Sequence, residues 1–249
     1  MTMRIDIICL FPRILMPFLE EGVIGRAVKN QNAHIVLHDL FDDALPSGRH
    51  KRQVDDYPYG GGAGMILRPE PIAAVIDRLQ SERTYDEIIY LTADGQTFTQ
   101  SIANELSLHQ NLILLCGRYK GIDQRIRDIY VTRELSIGDY VISGGELAAA
   151  VVVDTIVRLL PGVLGNESAA LMDSFQDALL DPPWYTRPVE FRGHRVPDIL
   201  LCGDHKAIEQ WRFQQAMEKT RKRRPDLWEK WQTTTKGFHQ KSLNPNHHA

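Results

Sequence analysis

The sequence predicts an α/β fold, with a parallel sheet flanked by helices and a small, mostly helical C-terminal domain after it. Three observations carry this expectation. Strand, helix and strand patterns follow one another in the first forty residues, an order that favours parallel pairing. The apolar run Leu112 to Cys116 reads as a buried central strand. From Pro183 onward the charge balance reverses, to 13 Lys+Arg against 7 Asp+Glu, whereas 16 face 25 before it. That asymmetry suits a basic tail domain for a polyanion, although a charge run is also what a solvated helical face looks like.

Taken in order, Arg4 to Phe11 reads as a strand, Leu15 to Lys29 as one helix and Ala33 to Leu40 as a second strand. Asp42 to Gly64 has little periodicity and reads as a long loop, a length usually tied to function or disorder. It carries the cations Arg49 to Arg52, then Asp55, Asp56 and Gly60 to Gly62. Pro69 opens a helix to Leu79, where its missing N–H costs little. Glu87 to Leu91 is the next strand, Thr92 to Gly95 its exit turn, and Thr99 to Leu108 a helix returning to Leu112. Gly145 to Leu160 has almost no polar face, so that helix must be covered on more than one side. Beyond it come a linker at 166–172, an amphipathic helix from Lys206 to Lys222 and a shorter one from Arg224 to Gln232. Domain boundaries are therefore expected at 1–165 and 173–249.

Five glycines, Gly117, Gly121, Gly138, Gly144 and Gly145, interrupt the stretch from Leu112 to Leu147. Glycine lets a backbone approach a ligand without a Cβ in the way, so a small polar molecule is one reading and ordinary turns are the other. Neither a dinucleotide fingerprint nor a phosphate-binding P-loop is present. Cys9, Cys116 and Cys202 follow or lie in apolar runs, without metal-ligand spacing, and all three are expected to be small buried hydrophobes.

The wording of this stretch is more specific than its glycines. Cys116 to Asp123 (CGRYKGID) and Ser136 to Leu147 (SIGDYVISGGEL), with DDYPYGGGAGM from Asp55, PGVLG from Pro161, DSF from Asp173 and YTRP from Tyr185, resemble the bacterial tRNA (guanine-N1)-methyltransferases, the TrmD family of the SPOUT class. The resemblance implies a trefoil-knotted sheet whose loops hold S-adenosylmethionine, and a homodimer. It implies a reaction at N1 of the guanosine at position 37 of tRNA, just 3′ of the anticodon. The positions matching cofactor contacts are Tyr90, Leu91, Gly117, Ile137, Gly138, Asp139, Tyr140, Val141, Ile142, Gly144 and Gly145. Those matching substrate contacts are Asp55, Gly60, Gly61, Arg187 and Arg221. Asp173 matches the general base and Arg158 its partner cation; on its own, Asp173 also suits a helix cap.

Three departures from the family pattern are visible. Thr92-Ala93-Asp94-Gly95 stands where the family usually has Ser-Pro-Gln-Gly, Lys120 where it generally has Glu, and Ala148 where proline is common. The resemblance also implies a dependence on Mg2+, for which no site is assigned, since Lys120 is a cation.

Two rivals remain. A non-catalytic RNA-binding protein would keep Arg221 to Arg224 and need not keep Asp173 or Arg158; a nucleotide hydrolase would need the absent P-loop lysine and a cluster of metal-binding acids. Trp211, Trp228 and Trp231 interleave with basic residues, which suits RNA. No run reaches the ~20 apolar residues of a membrane span, and the opening MTMRIDIICLF lacks signal-peptide features. A cytoplasmic protein is expected.

Overall fold

The computed structural model describes residues 2–43, 53–165, 174–175 and 179–242, with side chains through 234. The expected linker at 166–172, the cations Arg49 to Arg52 and the acid Asp173 lie outside the described residues. The chain divides into two compact units, Met1–Glu167 and Ser168–Ala249.

The first unit is built on five parallel strands: β1 (Met3–Cys9), β2 (Ala33–Asp39), β5 (Glu87–Thr97), β6 (Asn111–Cys116) and β7 (Arg133–Ser136). Their order is β2-β1-β6-β5-β7. Two short strands, β3 (Asp55–Asp56) and β4 (Ile66–Leu67), form an antiparallel pair beside it. Parallel strands covered on both faces read as near-continuous apolar runs, and Leu112 to Cys116 is wholly buried. Alternate residues feed two cores. Ile5, Ile7, Leu112, Leu114, Ile89 and Leu91 pack with buried residues of α2 (Gly22–Lys29), α5 (Gln100–Leu106) and α7 (Glu146–Val157). Ile8, Ile113, Leu115, Ile88 and Tyr90 pack with those of α4 (Pro69–Glu82) and α6 (Gln124–Tyr130). Each fully buried Leu or Ile contributes ~1.5–3 kcal/mol to this arrangement.

Several elements differ from the sequence expectation. The single helix over Leu15 to Lys29 is two, α1 (Met16–Glu20) and α2, because Glu21 is extended and Gly22 takes φ +62°. The long loop after β2 contains a short helix, α3 (Leu40–Asp43), and strand β3. The exit turn at Thr92 to Gly95 is an excursion within β5: Leu91 and Gln96 both face Leu135 of β7. A Cβ on Gly95 would stand 2.7 Å from the backbone of Glu134 and Leu135, so that close approach requires glycine. Strand β7 and helix α6 were not expected from the sequence; each is short, and α6 buries only Ile126.

In the second unit, the hairpin β8 (Glu190–Phe191) and β9 (His194–Arg195) turns through Arg192 and Gly193, both at positive φ. A 3-10 turn at Asp198–Leu200 leads to α8 (His205–Arg223) and α9 (Pro225–Ser242). Asp204 caps α8, its carboxylate accepting from the amides of Lys206 and Ala207. Cys202 corrects the cysteine expectation: it is exposed, because it sits in the turn before that cap rather than in a strand. Cys9 and Cys116 are buried as expected.

Candidate functional site

The C-terminal ends of β5, β6 and β7 open onto one cleft. In parallel α/β sheets this edge is where ligands bind, because the strand-to-helix loops converge there. The cleft is walled by Tyr90 to Ala93 of β5, Gly117 to Gly121 after β6, and Leu135 to Gly138 with Tyr140 to Gly145 at and beyond the end of β7. The chain folds this way because the loops are tied through their backbones. The Gly145 amide donates to the Gly117 carbonyl at 2.8 Å, and Arg118 bridges Gly144 in an antiparallel contact. A Cβ on Gly145 would lie 2.7 Å from the Cα of Cys116, so only glycine lets the loop enter α7 so close to β6. Gly138 takes φ +140°, and the Ser136 hydroxyl spans it, accepting from its amide at 3.2 Å and donating to its carbonyl at 3.1 Å.

Of the candidate cofactor positions, Tyr90, Leu91, Gly117, Ile137, Gly138, Tyr140, Val141, Ile142, Gly144 and Gly145 all line this cleft. Asp139 does not. Tyr90 is nearly buried; desolvation raises its hydroxyl above the usual phenol value, so it is a neutral wall, with the Arg127 guanidinium 5.4 Å from its ring. Leu91 and Leu135 add apolar floor.

Three residues that the sequence reading gave no role complete the site. Arg118 lines the cleft, lies 4.3 Å over the Phe11 ring and donates to Glu146 at 3.4 Å. Glu146 is a buried acid in the first turn of α7, where a negative charge suits the helix N-terminus, and it also accepts from the Phe11 amide at 3.2 Å. Tyr119 reaches Asp55, and burial together with that carboxylate raises its hydroxyl. The motif CGRYKGID carried two of them in plain view; Glu146 needed the fold to meet Arg118.

Asp55 is thus joined to the cleft wall through Tyr119. Gly60 and Gly61, at φ +82° and +79°, lie between β3 and β4, and the Met65 carbonyl accepts from the Lys120 amide at 3.1 Å. Lys120 itself lines the cleft. Arg158 is not brought to the cleft. It caps the C-terminal end of α7, and a twelve-residue helix is ~18 Å long, so one chain holds Arg158 and Gly145 at opposite ends. Arg187 lines a separate cavity within the second unit, and Arg221 stands in the last turn of α8.

Cys9 and Cys116 are buried in the sheet and poorly suited to act as nucleophiles. Burial, with Glu146 nearby, pushes the Cys9 thiol up to about 12 and Cys116 well above its ordinary value, so both stay protonated.

The family model for tRNA (Guanine-1)-methyltransferase TrmD matches residues 3–230, which includes the cleft and most of each unit. The chain belongs to this family. Among curated members, the tRNA (guanine-N(1)-)-methyltransferase of Cytophaga hutchinsonii is 55% identical over 229 residues, covering 92% of this chain and 96% of that one. The Chlorobaculum tepidum enzyme of the same name is 55% identical over 225 residues, covering 90% and 96%, and that of Bacteroides thetaiotaomicron 52% over 227, covering 91% and 100%. Family membership makes the chain a methyltransferase.

Proposed function

We propose that the chain transfers a methyl group from S-adenosylmethionine to N1 of the guanosine 3′ of the anticodon of tRNA, position 37, working as a cytoplasmic homodimer with a SPOUT-type trefoil knot. The observation that carries this reading is the cleft itself: ten residues matched to cofactor contacts line one cavity at the C-terminal edge of the sheet. No helix among the described residues is long and apolar enough to cross a membrane.

The cleft fits the methyl donor. Its glycine loops present main-chain groups without side chains, Leu91, Leu135 and Ala148 offer apolar contact, and Arg118 and Lys120 supply cations suited to a carboxylate. When bound, S-adenosylmethionine would supply an electrophilic methyl on a sulfonium whose sulfur leaves readily as a neutral thioether. Much of the protein's work is then positioning. Neutral guanine carries a proton at N1, so a base must remove it while a cation stabilises charge growing on O6. Asp173 is assigned the first role and Arg158 the second.

The distance of Arg158 from the cleft supports a shared site, in which each cleft is served by Asp173 and Arg158 of a second copy. Leu147 and Val151 of α7, with Ile14 and Met16 beside it, leave apolar side chains about half exposed, which suits a partner's surface. The Gly145 to Gly117 bond, which draws the chain back across β6 before α7 begins, supports the knot. Among the described residues magnesium finds no such fit. Among the described residues, Glu87, Glu105 and His109 come together, but none lines the cleft, and Arg133 already bonds Glu105 at 2.7 Å and approaches Glu87 at 3.6 Å.

A transfer assay tests the reading. Purified protein, S-adenosylmethionine carrying a labelled methyl, and a tRNA transcript should give 1-methylguanosine beside the anticodon. A transcript with adenosine at that position should take no label. Equal labelling of both transcripts would contradict the proposed target.

A further inference from the structure

We propose that a cavity in the second unit binds one unpaired nucleotide of the RNA substrate, distinct from the guanosine that is methylated. The inference rests on the reading of tRNA as substrate. The cavity measures about 350 Å³, within the ~300–1,000 Å³ range of small-molecule pockets and wide enough for a single nucleotide. It lies between the chain around Trp184 to Arg187, the turn at Leu200 and Leu201, and the face of α8 that carries Arg212.

The lining has the chemistry of a base-stacking site. The Arg212 guanidinium lies 4.7 Å from the Trp184 ring centroid, a cation–π pair that holds the indole in place. Tyr185 leans on Trp211 at 6.4 Å. Yet Trp184 remains 59% exposed and Tyr185 49%, so neither ring is spent on the core. Leu200 and Leu201 add apolar surface, and Arg187 and Arg212 give the lining two cations with no acid among its residues. An occupant that is flat, aromatic and anionic matches all of this. A nucleotide places its base against the indole and its phosphate near the arginines, and aromatic or guanidinium planes are how proteins hold splayed-out bases. Paired bases in a duplex have both faces covered, so the occupant comes from a loop. The excess of basic residues from Pro183 onward supplies the wider attraction for RNA.

Full-length protein and a tRNA transcript provide the test, read by fluorescence anisotropy across a salt series. Trp184→Leu should weaken tRNA binding about tenfold, the size of one lost base stack. It should leave the slope of log affinity against log salt unchanged, because no charge is removed. Trp184→Phe, which keeps a stacking face, should stay within about threefold of wild type. Calorimetric binding of S-adenosylmethionine should be unchanged in both variants, which verifies their first unit. Independently of any variant, a wild-type complex with a 4-thiouridine transcript should photocrosslink to the peptide holding Trp184 and Tyr185. Wild-type affinity in Trp184→Leu, an equal loss in Trp184→Phe, or crosslinks confined to other peptides would overturn the pocket while leaving the methylation reading intact. A wild-type protein that binds no tRNA would overturn both.

Discussion

Asp6 and the cleft are both polar places in an otherwise apolar sheet, and they are finished differently. Asp6 is fully buried on β1, and three side chains saturate it. Arg4 donates twice, His38 once and Tyr85 once, each at 2.7 Å. Burial pushes that carboxyl upward, but the three partners outweigh it and hold the group well below the usual carboxylate range. The cleft at the ends of β5, β6 and β7 is walled instead by loops whose glycines leave main-chain groups within reach. A polar group that serves stability finds its partners inside the chain, whereas one that serves a ligand is left with room beside it.

The comparison separates two kinds of damage. On the proposed mechanism, Asp173→Asn should leave cofactor binding and thermal stability near wild type while lowering methyl transfer by ~10²–10⁴-fold, the size of a lost general base. Single-turnover transfer together with a melting curve would check this. Activity within a few fold of wild type would remove Asp173 as the base. The proposed shared site sharpens the same variant: refolding it together with an inactive Gly145→Val chain should restore activity, up to about a quarter of wild type for random pairing into two-site dimers. No recovery from demonstrated mixed dimers would place each site within one chain.

Damage at Asp6 should show the opposite pattern, a loss of stability rather than of chemistry. Asp6→Ala removes the shared acceptor of Arg4, His38 and Tyr85, and breaking a buried ion pair costs ~3–5 kcal/mol. Because the folded-state pKa of Asp6 is depressed, its contribution is complete above the unfolded carboxylate value of ~4. It fades as pH falls below that value toward the depressed folded one. Urea unfolding of wild type and variant should therefore differ most near neutral pH and converge in acid. A gap that is constant from pH 7 to pH 3 would show that Asp6 acts by packing alone.

How far the sequence revealed these two regions follows from the range of the contacts. Strands such as Leu112 to Cys116 were legible because burial on both faces writes a continuous apolar run. The glycine loops were legible as motifs, and their family resemblance pointed to residues that the fold brings into one cleft. Asp6 was not, because a lone acid in a strand gives no sign that Tyr85, 79 residues on, will meet it. The same holds for Arg118 and Glu146, separated by 28 residues, and for the Trp184 ring that Arg212 covers. The break at Gly22 escaped because apolar spacing continues through it while the backbone turns aside, and at Thr92 to Gly95 the sequence showed a turn but not that the strand resumes beyond it against the same Leu135.

The central claim is that the glycine-walled cleft holds the methyl donor. Its most direct measurement is a calorimetric titration of wild type and Gly145→Val with S-adenosylmethionine, with circular dichroism to verify the fold. A Cβ on Gly145 already stands 2.7 Å from the Cα of Cys116, so valine must force the loop away from β6. The wild type should bind saturably at one site per chain, and folded Gly145→Val should give no saturable heat at millimolar cofactor. A folded variant that binds like wild type, or a wild type that does not bind, would contradict the claim.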